Sequence, residues 1–178
     1  MAAIRRPAGK VKAPWKAPGF SALIFSLLMF GFLGGITGVV IGTEQISIRA
    51  HNTWMITGHF HGTVVGGTTL AFMGTAYYLI PLITRRQLVG KSLASIQPFV
   101  FGIGITLLSV GMMTSGTLGV PRRHWDITFA DSIFPFSFDP SVLMFVSLAA
   151  VGGIIAAVGG AMFVGVSVST LLFGKKMA

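Results

Sequence analysis

The sequence predicts an all-α membrane protein with four transmembrane helices. Three observations carry that prediction. The 178 residues are 53% hydrophobic and only 10% charged, where soluble domains carry roughly 25% charged residues. Four apolar segments each reach the roughly 20 residues needed to cross a ~30 Å hydrocarbon layer. The basic residues also cluster at alternate ends of those segments, as membrane topology requires.

Residues 1–17 contain Arg5, Arg6, Lys10, Lys12 and Lys16 with Pro7 and Pro14, and read as a disordered basic tail. They could pass for the start of a secretion signal. The apolar run that follows is too long, however, and no small-residue cleavage site precedes a polar domain, so the tail is expected to be retained. The remainder, 18–178, is read as one four-helix membrane part. The first segment runs from Phe20 to Gly42, the second from Trp54 to Ile83, the third from Ile96 to Val120 and the fourth from Ser141 to Phe173. Pro121 is expected to end the third helix. In lipid the backbone must satisfy its own hydrogen bonds, so apolar runs of this length are helices and not open strands. The glycine pairs at 34–35, 66–67, 152–153 and 159–160 suit close helix approach within a membrane bundle.

The net charge of +9 raises the question of nucleic acid. No basic helix or aromatic-interleaved basic patch exists to form such a groove, so no nucleic-acid partner is expected. The tail, the second–third loop (Arg85, Arg86, Lys91) and the C-terminus (Lys175, Lys176) are basic without any acid. The opposite side mixes Arg49, Arg122 and Arg123 with Glu44, Asp126, Asp131 and Asp139. The positive-inside rule therefore puts both termini in the cytoplasm. Cysteine is absent, which excludes a disulfide framework and thiolate metal sites.

Of the four histidines, His59 and His61 lie inside the second apolar segment. An ionisable group at membrane depth is a functional-site hypothesis by default. Positions i and i+2 on a helix are about 200° apart with a rise of ~3 Å. The two imidazoles thus point to opposite faces at nearly one depth and cannot share one ion, which would favour i, i+4 spacing. Opposed imidazoles suit two cofactors, one on each flank, and imidazole is the usual axial ligand of haem iron. Phe60 stands between them. If the helix starts near His51, His59 lies ~12 Å along its axis, in the outer half of the bilayer. The competing reading is that both histidines hydrogen-bond neighbouring helices as polar glue. His51 and His124 sit at helix ends and, on spacing alone, read as interfacial residues.

Arg122 and Arg123 follow Val120-Pro121 on the outer side, against the positive-inside bias. Arginine forks bind carboxylates, and haem propionates at the interface would suit them. Lipid headgroups, or pairing with Asp126 or Asp131, would serve as well.

These residues together resemble one family. Gly34-Gly35-Ile36-Thr37-Gly38-Val39 is similar to the GG-[LIF]-TG-V pattern of the ninth helix of haem–copper oxidase subunit I. His51-Asn52-Thr53-Trp54 followed by Gly58-His59-Phe60-His61 resembles its tenth-helix signature H[DN]T…HFH. Val120-Pro121-Arg122-Arg123 with Asp126 resembles the [MV]PRR…D motif after the eleventh helix. The resemblance covers about residues 20–175, with three motifs in register with four helices. It implies that His59 is the axial ligand of a high-spin haem and His61 one axial ligand of a low-spin haem. It further implies that Phe60 lies between the haems, that Arg122 and Arg123 hold propionates, and that His51 lies near the propionates and the subunit II interface.

Some positions depart from the family pattern. Asn52 replaces the Asp that helps bind magnesium in the mitochondrial-like branch, and Ser47 stands where an Asp is common. The His-Asn-Thr form and Gly58 look more like the B-type branch, which includes ba3 oxidases. Subunit I normally has twelve or more helices, and the copper ligands, the cross-linked tyrosine and the second low-spin ligand belong to earlier ones. The resemblance therefore implies a split subunit I whose remaining helices, with copper B, lie on another polypeptide. The implied activity is reduction of oxygen to water with proton translocation in a prokaryotic inner membrane, with subunit II as partner and cytochrome c or quinol as donor. Two other readings make different predictions. A haem-binding electron-transfer subunit without oxygen chemistry predicts low-spin haem only, and a non-redox scaffold or small transporter predicts no haem.

Overall fold

The computed structural model describes residues 13–123 and 139–177. The expected tail lies mostly outside the described residues, as do His124, Asp126 and Asp131. Four helices are long and apolar enough to cross a membrane: Pro18–Gly42, Trp54–Thr84, Lys91–Thr117 and Ser141–Phe173. The all-α expectation holds, with corrections at the ends. The third helix begins five residues before the expected Ile96, at Lys91, which follows a left-handed Gly90 (φ 67°). It also stops at Thr117, ahead of Pro121. Gly119, at φ 97°, turns the chain before the proline can act.

Local chemistry explains the other starts. Pro18 occupies the first turn of the first helix, where a missing N–H costs nothing and φ is already helical. The Thr53 hydroxyl accepts from the Met55 N–H at 3.2 Å and so caps the second helix. Asp139 accepts from the Ser141 N–H at 2.8 Å at the start of the fourth. The Ser141 hydroxyl and N–H hold that carboxyl below the usual range.

Two features have no signature in apolar periodicity. A short helix, Glu44–Ala50, fills the loop between the first and second membrane helices, and the second starts at Trp54, where its apolar segment begins. His59 therefore lies five residues into its helix, ~7.5 Å along the axis. The first and second helices also each contain a wide π-helical stretch, Met29–Ile36 and His61–Thr68. The two stretches pack on each other, and π-bulges concentrate at functional sites.

The second helix lies in the crease between the first and third, and the fourth covers the far side of the third. Third and fourth pack backbone to backbone. A Cβ at Gly111 would sit 2.6 Å from the Ala149 nitrogen, and one at Gly152 would collide with the Leu108 nitrogen. Rigid backbone cannot yield as a side-chain tip can, so Gly152→Val is expected to cost about 1–3 kcal/mol. A lower thermal midpoint of the detergent-solubilised complex would register that loss. At the end opposite the site, Arg86 donates to the Leu172 and Gly174 carbonyls, each at 3.2 Å. It thereby satisfies acceptors left over at the end of the fourth helix. Large apolar side chains such as Phe32, Val39, Phe72 and Phe173 are exposed, as lipid or further helices would require.

Candidate functional site

His59 and His61 leave opposite flanks of the second helix, as their spacing predicts. His59 turns to the first helix, where its Nδ1 lies 2.8 Å from the Thr37 hydroxyl oxygen. Its ring runs close over Gly38, where an added Cβ would sit 3.3 Å from Cε1 and 3.9 Å from Nε2. His61 turns to the third and fourth helices. It lines a cleft of about 320 Å³ with Trp54, Leu108, Met112, Val146, Ala149, Ala150 and Gly153. Its Nδ1–H donates to the Thr57 carbonyl at 2.8 Å. In both rings Nδ1 is engaged, and Nε2 has no hydrogen bond among the described residues. That is how metal-ligating histidines are held, with the second nitrogen fixing ring orientation and tautomer.

Phe60 projects between them and is exposed on the outside of this bundle, its ring 5.7 Å from that of His59 at 64°. The second helix can carry this cluster because its glycines let it sink between its neighbours. A Cβ at Gly58 would meet Met113 at 2.7 Å, and one at Gly62 would meet Leu33 at 3.0 Å.

The motifs around Asn52 and Pro121 are stitched together by backbone. Trp54 N–H donates to the Val120 carbonyl at 2.9 Å and Arg122 N–H to the Asn52 carbonyl at 2.8 Å, around a bridge between Thr53 and Pro121. Asn52 (φ 61°) and Arg123 (φ 65°) adopt the left-handed conformation, which asparagine tolerates better than most residues. The pairing brings Arg122 and Arg123 beside the start of the histidine helix. Arg122 is half-buried, and its Nε has no hydrogen-bond partner among the described residues. An unpaired buried guanidinium nitrogen is costly, and an anionic ligand would satisfy it. His51 ends the short helix Glu44–Ala50 and is exposed. Arg49 of that helix lines a cleft of about 620 Å³ with Ile46, Ala50, Met55 and Gly116–Gly119.

Thr37, Gly38 and the Thr57 carbonyl were not singled out from the sequence as contacts of the imidazoles. Thr37 and Gly38 lie in the quoted glycine-rich motif, but nothing in helical spacing tells which residue of one helix meets a histidine on another.

Fold and site define a membrane helix bundle that presents two opposed imidazoles at one depth. The chain belongs to the cytochrome c and quinol oxidase polypeptide I family, whose model matches residues 7–162. Cytochrome c oxidase subunit 1 of Thermus thermophilus is 33% identical over 132 residues, 72% of this chain and 23% of that protein. The subunit of the same name from Synechocystis is 33% identical over 116 residues, 61% of this chain and 20% of that protein. A heme–copper terminal oxidase dimer solved by cryo-electron microscopy superposes with a TM-score of 0.78 at 31% identity, covering 97% of this chain and 29% of that one. The chain thus spans about a quarter of the length of these three relatives.

Proposed function

We propose that this chain is the haem-ligating C-terminal part of subunit I of a terminal respiratory oxidase. In this reading His59 binds the iron of a high-spin haem and His61 that of a low-spin haem. The carrying observation is that both imidazoles have Nδ1 hydrogen-bonded and leave opposite flanks of one helix, His59 toward the first helix and His61 toward the third and fourth. The surrounding residues fit haem. The His61 cleft is lined mainly by apolar side chains, Gly38 leaves the His59 ring edge uncovered, and the Arg122 Nε, without a partner among the described residues, suits propionates together with the adjacent Arg123. Bound haem would supply the electron transfer and oxygen chemistry. The protein sets ligation, orientation and access. Phe60 would separate the two haems, and exposed His51 would face the propionate region and subunit II.

The remaining parts of the assembly follow from the family. The second low-spin ligand and the copper ligands would come from the other helices of subunit I. Asn52 and Gly58 support a B-type, ba3-like affiliation. The basic cluster Arg85, Arg86, Lys91, Lys175 and Lys176 supports a cytoplasmic placement of both termini in a prokaryotic inner membrane. The complex would pass electrons from cytochrome c or quinol to oxygen and translocate protons.

A reduced-minus-oxidised optical spectrum of the native complex tests this function. Two haem signals are expected, only one of them perturbed by carbon monoxide. A low-spin signal alone would favour an electron-transfer subunit, and no Soret band would favour a scaffold or transporter.

A further inference from the structure

We propose that Thr37 is a positioning residue for the His59 imidazole, holding its proton on Nδ1 and strengthening Nε2 as an iron donor. The inference rests on the reading of His59 as a haem ligand and adds a residue to it. Three observations meet at Thr37.

The first is the direction of its hydrogen bonds. A threonine hydroxyl has one proton to donate and lone pairs to accept. The Thr37 hydroxyl makes a short contact with the Leu33 carbonyl, a turn earlier in the same helix. A carbonyl can only accept, so the hydroxyl proton is committed there. The oxygen that remains 2.8 Å from His59 Nδ1 must then accept, and Nδ1 must carry the proton. Nε2 is left with its lone pair free.

The second is the reason that proton stays committed. Thr37 immediately follows the wide stretch Met29–Ile36. A helical threonine readily donates its hydroxyl proton to a carbonyl one turn back, as Thr63, Thr75 and Thr106 do in this bundle. The Leu33 carbonyl, with that of Gly34 at 3.3 Å beside it, keeps the Thr37 proton on its own helix in the same way and leaves the oxygen to accept from His59.

The third is the neighbour. Gly38 leaves the ring room to lie against the first helix, with an imagined Cβ already at 3.3 Å from Cε1. Hydroxyl and bare Cα together define where the imidazole stands. Outer partners of this kind raise ligand basicity, and their loss costs about 10–100-fold in metal affinity or activity.

The test uses the assembled oxidase carrying Thr37→Val, which keeps the shape and removes the acceptor, and Thr37→Ser, which restores it. Resonance Raman of the reduced, unliganded complex reads the iron–histidine stretch of the high-spin haem. Thr37→Val is expected to move that band to lower frequency and to weaken haem retention at His59 by about 10-fold or more. Thr37→Ser is expected to return both to the native values. A native band in a fully loaded Thr37→Val complex would overturn the inference. Should that variant not assemble, an experimental structure of the native complex decides: Nδ1 within ~3.5 Å of the Thr37 oxygen upholds it, and Nδ1 bonded to a backbone carbonyl instead overturns it. Failure of the ligand reading is separately visible as a native complex with no haem on His59.

Discussion

In a complex carrying His59→Ala, the high-spin haem signal is expected to vanish while the low-spin signal persists. His59 is held from the first helix by Thr37 and Gly38, and the described residues place no second imidazole on that flank. Removing the imidazole removes the donor atom itself, a larger change than losing an outer hydrogen bond. Oxygen consumption should therefore fall by more than the ~100-fold that an outer-shell loss can cause. The His61 side of the helix shares no hydrogen bond with this one, so its haem serves as an internal control for folding. Persistence of a carbon-monoxide-binding haem in the variant would assign the iron to another side chain.

The second large effect is its mirror image. His61→Ala should delete the low-spin spectrum and leave a carbon-monoxide-binding high-spin haem. The His61 ring is oriented by the Thr57 carbonyl within its own helix and faces the third and fourth helices. Among the described residues the two rings share no hydrogen-bond partner, so the two losses should be independent. Electron entry should stop, because in the proposed function electrons reach the high-spin haem through the low-spin one. Chemical reductants that reach the high-spin haem directly should restore part of the activity. Loss of both haems in His61→Ala would contradict the separation of roles.

Much of this arrangement was legible in the residues. Apolar length gave four helices because lipid leaves the backbone few alternatives. The spacing of His59 and His61 predicted opposed faces because the α-helical period holds through Phe60. Features set by contacts between distant segments were hidden. The backbone pairing of Asn52 with Arg122 depends on two loops meeting, and neither loop shows a strand pattern. The helix Glu44–Ala50 is too short and too polar to stand out beside the membrane segments. The wide turns at Met29–Ile36 and His61–Thr68 leave the apolar count unchanged, so periodicity passes over them. Thr37 depends on both limits, since it lies at the end of a wide turn and its partner is on another helix. The position of His59 along its helix depends on the helix start, and Thr53 caps that helix at Trp54, three residues after His51.

The most direct measurement is an experimental structure of the purified native assembly at a resolution that shows porphyrin planes. Two irons are predicted, one at His59 Nε2 beside the first helix and one at His61 Nε2 beside the third and fourth. An assembly in which a single iron lies near this helix, or in which either imidazole faces lipid or protein with no porphyrin against it, would contradict the account.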